Sequence, residues 1–138
     1  MFSSWGRRCA RLVRRVRESM QRVILKSKIH RATVTRAELD YEGSCAIGTE
    51  LMRAADIAVG EQVHIVNVSN GSRAVTYAIQ GAPGEVSLNG AMAHIGSVGD
   101  IIIVIAYANV DESEMRGFAP RLVHVDSQNR IREKAAVN

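Results

Sequence analysis

Residues Tyr41 to Ile47 read Tyr-Glu-Gly-Ser-Cys-Ala-Ile, and the Gly43–Ser44 bond at their centre admits three chemical readings. The plainest is a turn, since glycine and serine both favour one. A second makes Ser44 a hydrolase nucleophile. The run Glu42-Gly43-Ser44-Cys45-Ala46 lacks the G-x-S-x-G elbow, however, and nothing selects a base among His30, His64, His94 and His124. The third is attack by Ser44 on its own backbone. The hydroxyl can add to the Gly43 carbonyl through a five-membered ring and move the acyl group from nitrogen to oxygen. Elimination of that ester and hydrolysis would leave a pyruvoyl group, an electrophilic ketone that no ordinary side chain offers. Glycine before the serine leaves out a Cβ and tolerates strained backbone.

The elements that would carry this stretch are mostly strands. "RVILKSKIHRATVTRA" alternates apolar and polar residues as one or two strands. Thr49 is a candidate N-cap for a short helix with Glu50 in its first turn and Leu51, Met52 and Ala55 on one face, ending near Gly60. Asn70-Gly71 between two β-rich runs predicts a hairpin with positive φ at both residues. Pro83-Gly84 marks a turn, and "VSLNGAMAHIGSVGD" reads as a glycine-punctuated connection. Ile101 to Ala108 is an apolar run expected to be a strand buried on both faces, too short to cross a bilayer. "DESEMRG" predicts a short acidic helix or turn and "RLVHV" a last strand. The whole is mainly β, a compact small barrel with one or two short helices.

Length and composition bound the rest. A chain of 138 residues with 46% hydrophobic content can bury one core without staples. Two cysteines build no disulfide framework, and no Cys/His spacing suits a metal. Residues 1–19 hold six arginines and one glutamate, a charge of +5, so the remainder carries −1 and gives no reason to expect nucleic acid. This extension has an amphipathic pattern that suits a transit peptide or a membrane-surface helix, or it is an artefact of start assignment, since Met20 begins a plausible chain. No secretory h-region follows it. The expected organisation is therefore an extension at 1–19, a catalytic domain at 20–126 and a flexible, solvated tail at 127–138.

In company with other segments, the Gly-Ser pair becomes specific. "LKSKIHRATVT", "YEGSCAI", "NGSRAVTYAI", "NGAMAH" and "GDIIIVIAY" occur in an order and at spacings that resemble the pyruvoyl-dependent aspartate decarboxylases. The resemblance runs from Met20 to about Val125. It implies a double-psi β-barrel, a cytoplasmic homotetramer with sites between subunits, and self-cleavage between Gly43 and Ser44. It further implies a covalent pyruvoyl cofactor made from Ser44, no metal, and decarboxylation of L-aspartate to β-alanine for pantothenate through a Schiff base. Neither nucleic acid nor membrane is an expected partner, and an accessory maturation factor stays open.

The resemblance assigns roles by position. Thr76 would assist cleavage, and Tyr77 would return a proton, a task a phenol can do because it keeps its proton at neutral pH. Arg73 would bind a substrate carboxylate with its planar fork, next to Lys28. Asn89, Gly90 and Ala91 would offer an amide and backbone N–H groups, with His30 and Tyr41 in support. Met92 departs from the alanine common in the family; it either narrows the pocket or points into the core. Cys45 reads as a packing residue.

Overall fold

The structure, a computed structural model, describes residues 20–136. The arginine-rich extension lies outside them. Nine strands form, namely β1 (Gln21–Thr33), β2 (Arg36–Glu38), β3 (Ser44–Gly48), β4 (Gln62–Asn67), β5 (Arg73–Gly81), β6 (Val86–Asn89), β7 (Ile101–Asp111), β8 (Arg121–Val125) and β9 (Ile131–Ala136). Among the described residues they come with one α-helix, α1 (Thr49–Ala55), and 3-10 turns at Gly90–His94 and Glu112–Gly117. The protein is mainly β, as its alternation predicts.

Two compact units are distinguished. The larger comprises Leu25–Tyr107 and the chain from Ala119 onward. There the strands neighbour one another in the order β2-β6-β3-β5-β4-β7-β1-β8-β9. Its core gathers Ile29, Ile47, Leu51, Ile65, Leu88 and Ile102, all fully buried. Each such side chain contributes about 1.5–3 kcal/mol by leaving water. The smaller unit holds residues 20–24 and Ala108–Phe118. In it Arg22 meets Glu112 at 3.3 Å with both side chains about half exposed, so solvent screening leaves the pair little weight.

Several local expectations need correction. Gly48, not Thr49, holds the N-cap position of α1, and no side chain caps it. The Thr49 hydroxyl instead donates to the Gly81 carbonyl. The helix stops at Ala55, short of Gly60, because Asp56 takes a left-handed φ of 54° and closes the last turn. β4 and β5 do form an antiparallel hairpin, but its loop is longer than a two-residue turn. Gly71 alone of the Asn-Gly pair has positive φ, while the Asn67 side chain accepts from the Ser69 and Asn70 N–H groups. β7 alternates buried and half-buried residues and is not buried on both faces.

Within the expected tail, Ile131–Ala136 form a strand. β9 pairs antiparallel with β8, and Asn129 is buried, donating to the carbonyls of Thr33 and Gly84 while accepting from the Thr33 N–H. The error most relevant to function concerns Val86–Asn89. The expected loop here is strand β6, four residues long and buried throughout.

Candidate active site

β6 matters because it runs antiparallel beside β3 and brings Asn89 opposite Ser44. Their side chains meet: the Asn89 amide donates to Ser44 Oγ at 3.2 Å, with both residues buried. This bond fixes the hydroxyl oxygen and leaves its proton free to donate. β3 also runs parallel to β5, with Cys45 level with Ala78. One step back on each strand stand Ser44 and Tyr77; two steps back stand Gly43 and Thr76. The pairing of three strands thus sets Asn89 against Ser44 and puts Thr76 and Tyr77 on the strand neighbouring β3.

The backbone at this point is unusual. Gly43 has φ of 89° and Ser44 of 109°, both in the region that favours glycine. For a side-chain-bearing residue such as Ser44 this costs on the order of 1–3 kcal/mol, held in place by the surrounding strands. A Cβ built on Gly43 meets nothing within 4 Å. Handedness, more than lack of room, is what asks for glycine there. These features set Ser44 apart from an ordinary strand serine.

The other expected residues distribute as follows. Arg73, Val75 and Tyr77 share one exposed face of β5, with Tyr77 41% exposed. Tyr41 is exposed in the bend before Gly43. Gly90 and Ala91 open the 3-10 turn directly after Asn89. Met92 joins the hydrophobic core, which settles its two readings in favour of packing.

Lys28 and His30 lie half-buried on β1, opposite Leu122 and His124 of β8. The His30 and His124 rings meet edge to face at 5.2 Å. They border a cleft of about 400 Å³ shared with Arg31 and Arg132. None of Ser44, Arg73, Thr76, Tyr77 or Asn89 lines that cleft. No histidine hydrogen-bonds Ser44 among the described residues, which leaves the hydrolase reading without its base.

Two titrating groups carry predictions. Burial, with Glu85 as a smaller influence, pushes the Cys45 thiol up to about 12. Cys45 should therefore resist iodoacetamide in the native protein and react only on unfolding, as peptide mapping by mass would show. His30 is held below its ordinary value of 6.5, first by partial burial and then by His124, Lys28 and Arg31. The fold thus favours neutral His30. Its contribution is complete above the unfolded value and is lost as pH falls from there through the lowered folded one. Acidification from about pH 7.5 to about pH 5.5 should lower the melting temperature more in the wild type than in His30→Gln.

Comparison with known proteins places the chain in a family. The aspartate decarboxylase family matches residues 20–132. The chain belongs to the aspartate decarboxylase family. It is 51% identical over 117 residues to the aspartate 1-decarboxylase of Polaromonas naphthalenivorans, covering 83% of this chain and 92% of that one. The aspartate 1-decarboxylase of Alkalilimnicola ehrlichii is 55% identical over 114 residues, covering 81% and 90%. That of Mycolicibacterium smegmatis is 53% identical over 114 residues, covering 81% and 84%. Among the described residues of this aspartate decarboxylase family member, no group of three or more His, Cys, Asp or Glu side chains could hold a metal.

Proposed function

We propose that this chain decarboxylates L-aspartate to β-alanine and carbon dioxide, supplying pantothenate synthesis, after cutting its own Gly43–Ser44 bond. Family membership supports the reaction class. The observation that carries the rest is the left-handed backbone at both Gly43 and Ser44, with the Asn89 amide holding the serine oxygen.

In the maturation, Ser44 Oγ bonds to the Gly43 carbonyl carbon, the C–N bond breaks, and the freed nitrogen takes up the hydroxyl proton and becomes an amine. Thr76, level with Gly43, donates to the carbonyl oxygen as negative charge develops there. Loss of the Ser44 α-proton expels the Gly43 carboxylate and leaves a dehydroalanine. Hydrolysis then exchanges nitrogen for oxygen. Overall one water is consumed and one ammonia leaves, giving fragments 1–43 and 44–138.

When formed, the pyruvoyl group supplies an electron sink for the pair left behind by the departing carboxylate. The chain's own residues bind, orient and protonate. Arg73 grips a substrate carboxylate with two parallel N–H donors, and Lys28 adds positive charge to that end with neutral His30 beside it. Asn89 and the N–H groups of Gly90 and Ala91 hold oxygen atoms near residue 44, with Tyr41 bordering them. Tyr77 donates its phenolic proton to the carbon that has lost carbon dioxide.

Arg73, Tyr77 and Tyr41 are exposed in the single chain, which supports a site completed by a neighbouring subunit of a homotetramer. The double-psi closure of the barrel and a cytoplasmic location belong to the same reading, which leaves the need for a maturation factor open. No metal takes part in it. The test is to feed carbon-13-labelled L-aspartate to the fully cut protein and follow β-alanine by NMR. The two products should appear in equal amounts. A completely cut chain that makes no β-alanine would refute the assignment.

A further inference from the structure

Gly90 sits against the bond that this reading breaks. Its own φ is 65°. A Cβ at that position would lie 2.6 Å from the Gly43 nitrogen, 2.7 Å from the Gly43 Cα and 2.7 Å from the Tyr41 carbonyl oxygen. All three are backbone atoms, so no side chain can swing aside to make room. Ordinary contact begins near 3.4 Å, and relief would need the 41–43 segment to retreat by the better part of an ångström. The contrast with Gly43 itself is sharp, since a Cβ there meets nothing.

We infer that Gly90 is a positioning residue for self-cleavage: its bare backbone lets the segment from Tyr41 to Gly43 seat tightly enough to hold the Gly43 carbonyl over the Ser44 hydroxyl. The inference rests on the processing reading above and adds a second task to a residue so far treated only as an N–H donor. Three features of the fold converge on it. Asn89, the preceding residue, fixes Ser44 Oγ. Gly90 then turns the chain, in left-handed conformation, into the 3-10 segment. The close approach sets where Gly43 lies relative to that fixed oxygen. Nucleophile and electrophile are thus located by two consecutive residues. A shift of the acyl group needs both at once, because the five-membered ring tolerates little displacement.

Gly90→Ala tests this in the full chain. Misplacement by about 1 Å can slow a positioned reaction by about 10²-fold, and the cleavage rate, followed by denaturing gel and intact mass, should fall on that order. Gly99→Ala is the matched control. Gly99 also has left-handed φ, at 93°, but a Cβ there meets nothing within 4 Å. It shares the backbone strain without the collision, so it should lower the melting temperature yet cut at the wild-type rate.

A folded Gly90→Ala protein that cuts as fast as the wild type would overturn the inference, as would a Gly99→Ala protein slowed equally. If single-chain Gly90→Ala fails to fold, residues 1–43 and 44–138 are co-expressed as separate pieces. In that format Gly43 is a free chain end and can recede. Assembly matching the two-piece wild type would place the conflict at the intact bond, as inferred, whereas failure in both formats would reduce Gly90 to a folding requirement. A wild type that itself stays uncut points instead to failure of the processing reading.

Discussion

Ser44→Ala leaves one uncut chain and no β-alanine production, because both the cleavage and the group it creates begin with the lost oxygen. The loss should be complete, unlike that from a binding residue. The substitution also removes the acceptor for the Asn89 amide, which is buried and finds no replacement in the alanine methyl. An unsatisfied buried donor costs about 1–3 kcal/mol, so the variant should melt somewhat lower yet remain folded. A gel, an aspartate assay and a thermal melt together separate this outcome from misfolding. Appearance of the two fragments in Ser44→Ala would mean that another group breaks the chain.

Tyr77→Phe should show the opposite pattern, with processing intact and turnover poor. Tyr77 lies on the exposed face of β5 with its ring beyond the core, so removing one oxygen leaves packing undisturbed. It also leaves Ser44, Asn89 and the strained bond as they are. What disappears is a proton donor, and general acid catalysis is worth about 10²–10⁴-fold. kcat should fall within that range while the extent of cleavage matches the wild type. Equal kcat in both fully cut proteins, with chemistry limiting the rate, would remove Tyr77 from the role.

How far the sequence carries such an argument depends on the element. Alternation in "RVILKSKIHRAT" was enough for β1, and the apolar run at Ile101 was enough for β7, because those strands are long. β6 escaped detection. Four residues, Val86 to Asn89, mix apolar and polar side chains that are all buried, so period-two alternation has nothing to show. Its burial comes from pairing with both β2 and β3, which are distant in sequence. β9 was missed for a related reason, since a polar run becomes a strand there only because β8 offers an edge.

The candidate site was legible as a set of residue types, chiefly through the segments shared with the family. Its geometry was not. The left-handed φ of Ser44 and the contact between Gly90 and Gly43 arise from long-range strand register, which local propensity does not contain. Glycine at 43 could be anticipated from chemistry, and the strained backbone it was expected to tolerate is present as a left-handed φ of 89°.

The most direct test of the account is the intact mass of the purified full chain under denaturing conditions, after prolonged warm incubation and with any maturation partner supplied. The account predicts two species, one ending at Gly43 and one beginning at residue 44, the latter lighter than a serine-headed fragment by one ammonia. That deficit distinguishes a pyruvoyl group from simple hydrolysis. A single species at the mass of the uncut chain, or a fragment headed by unmodified serine, would contradict it.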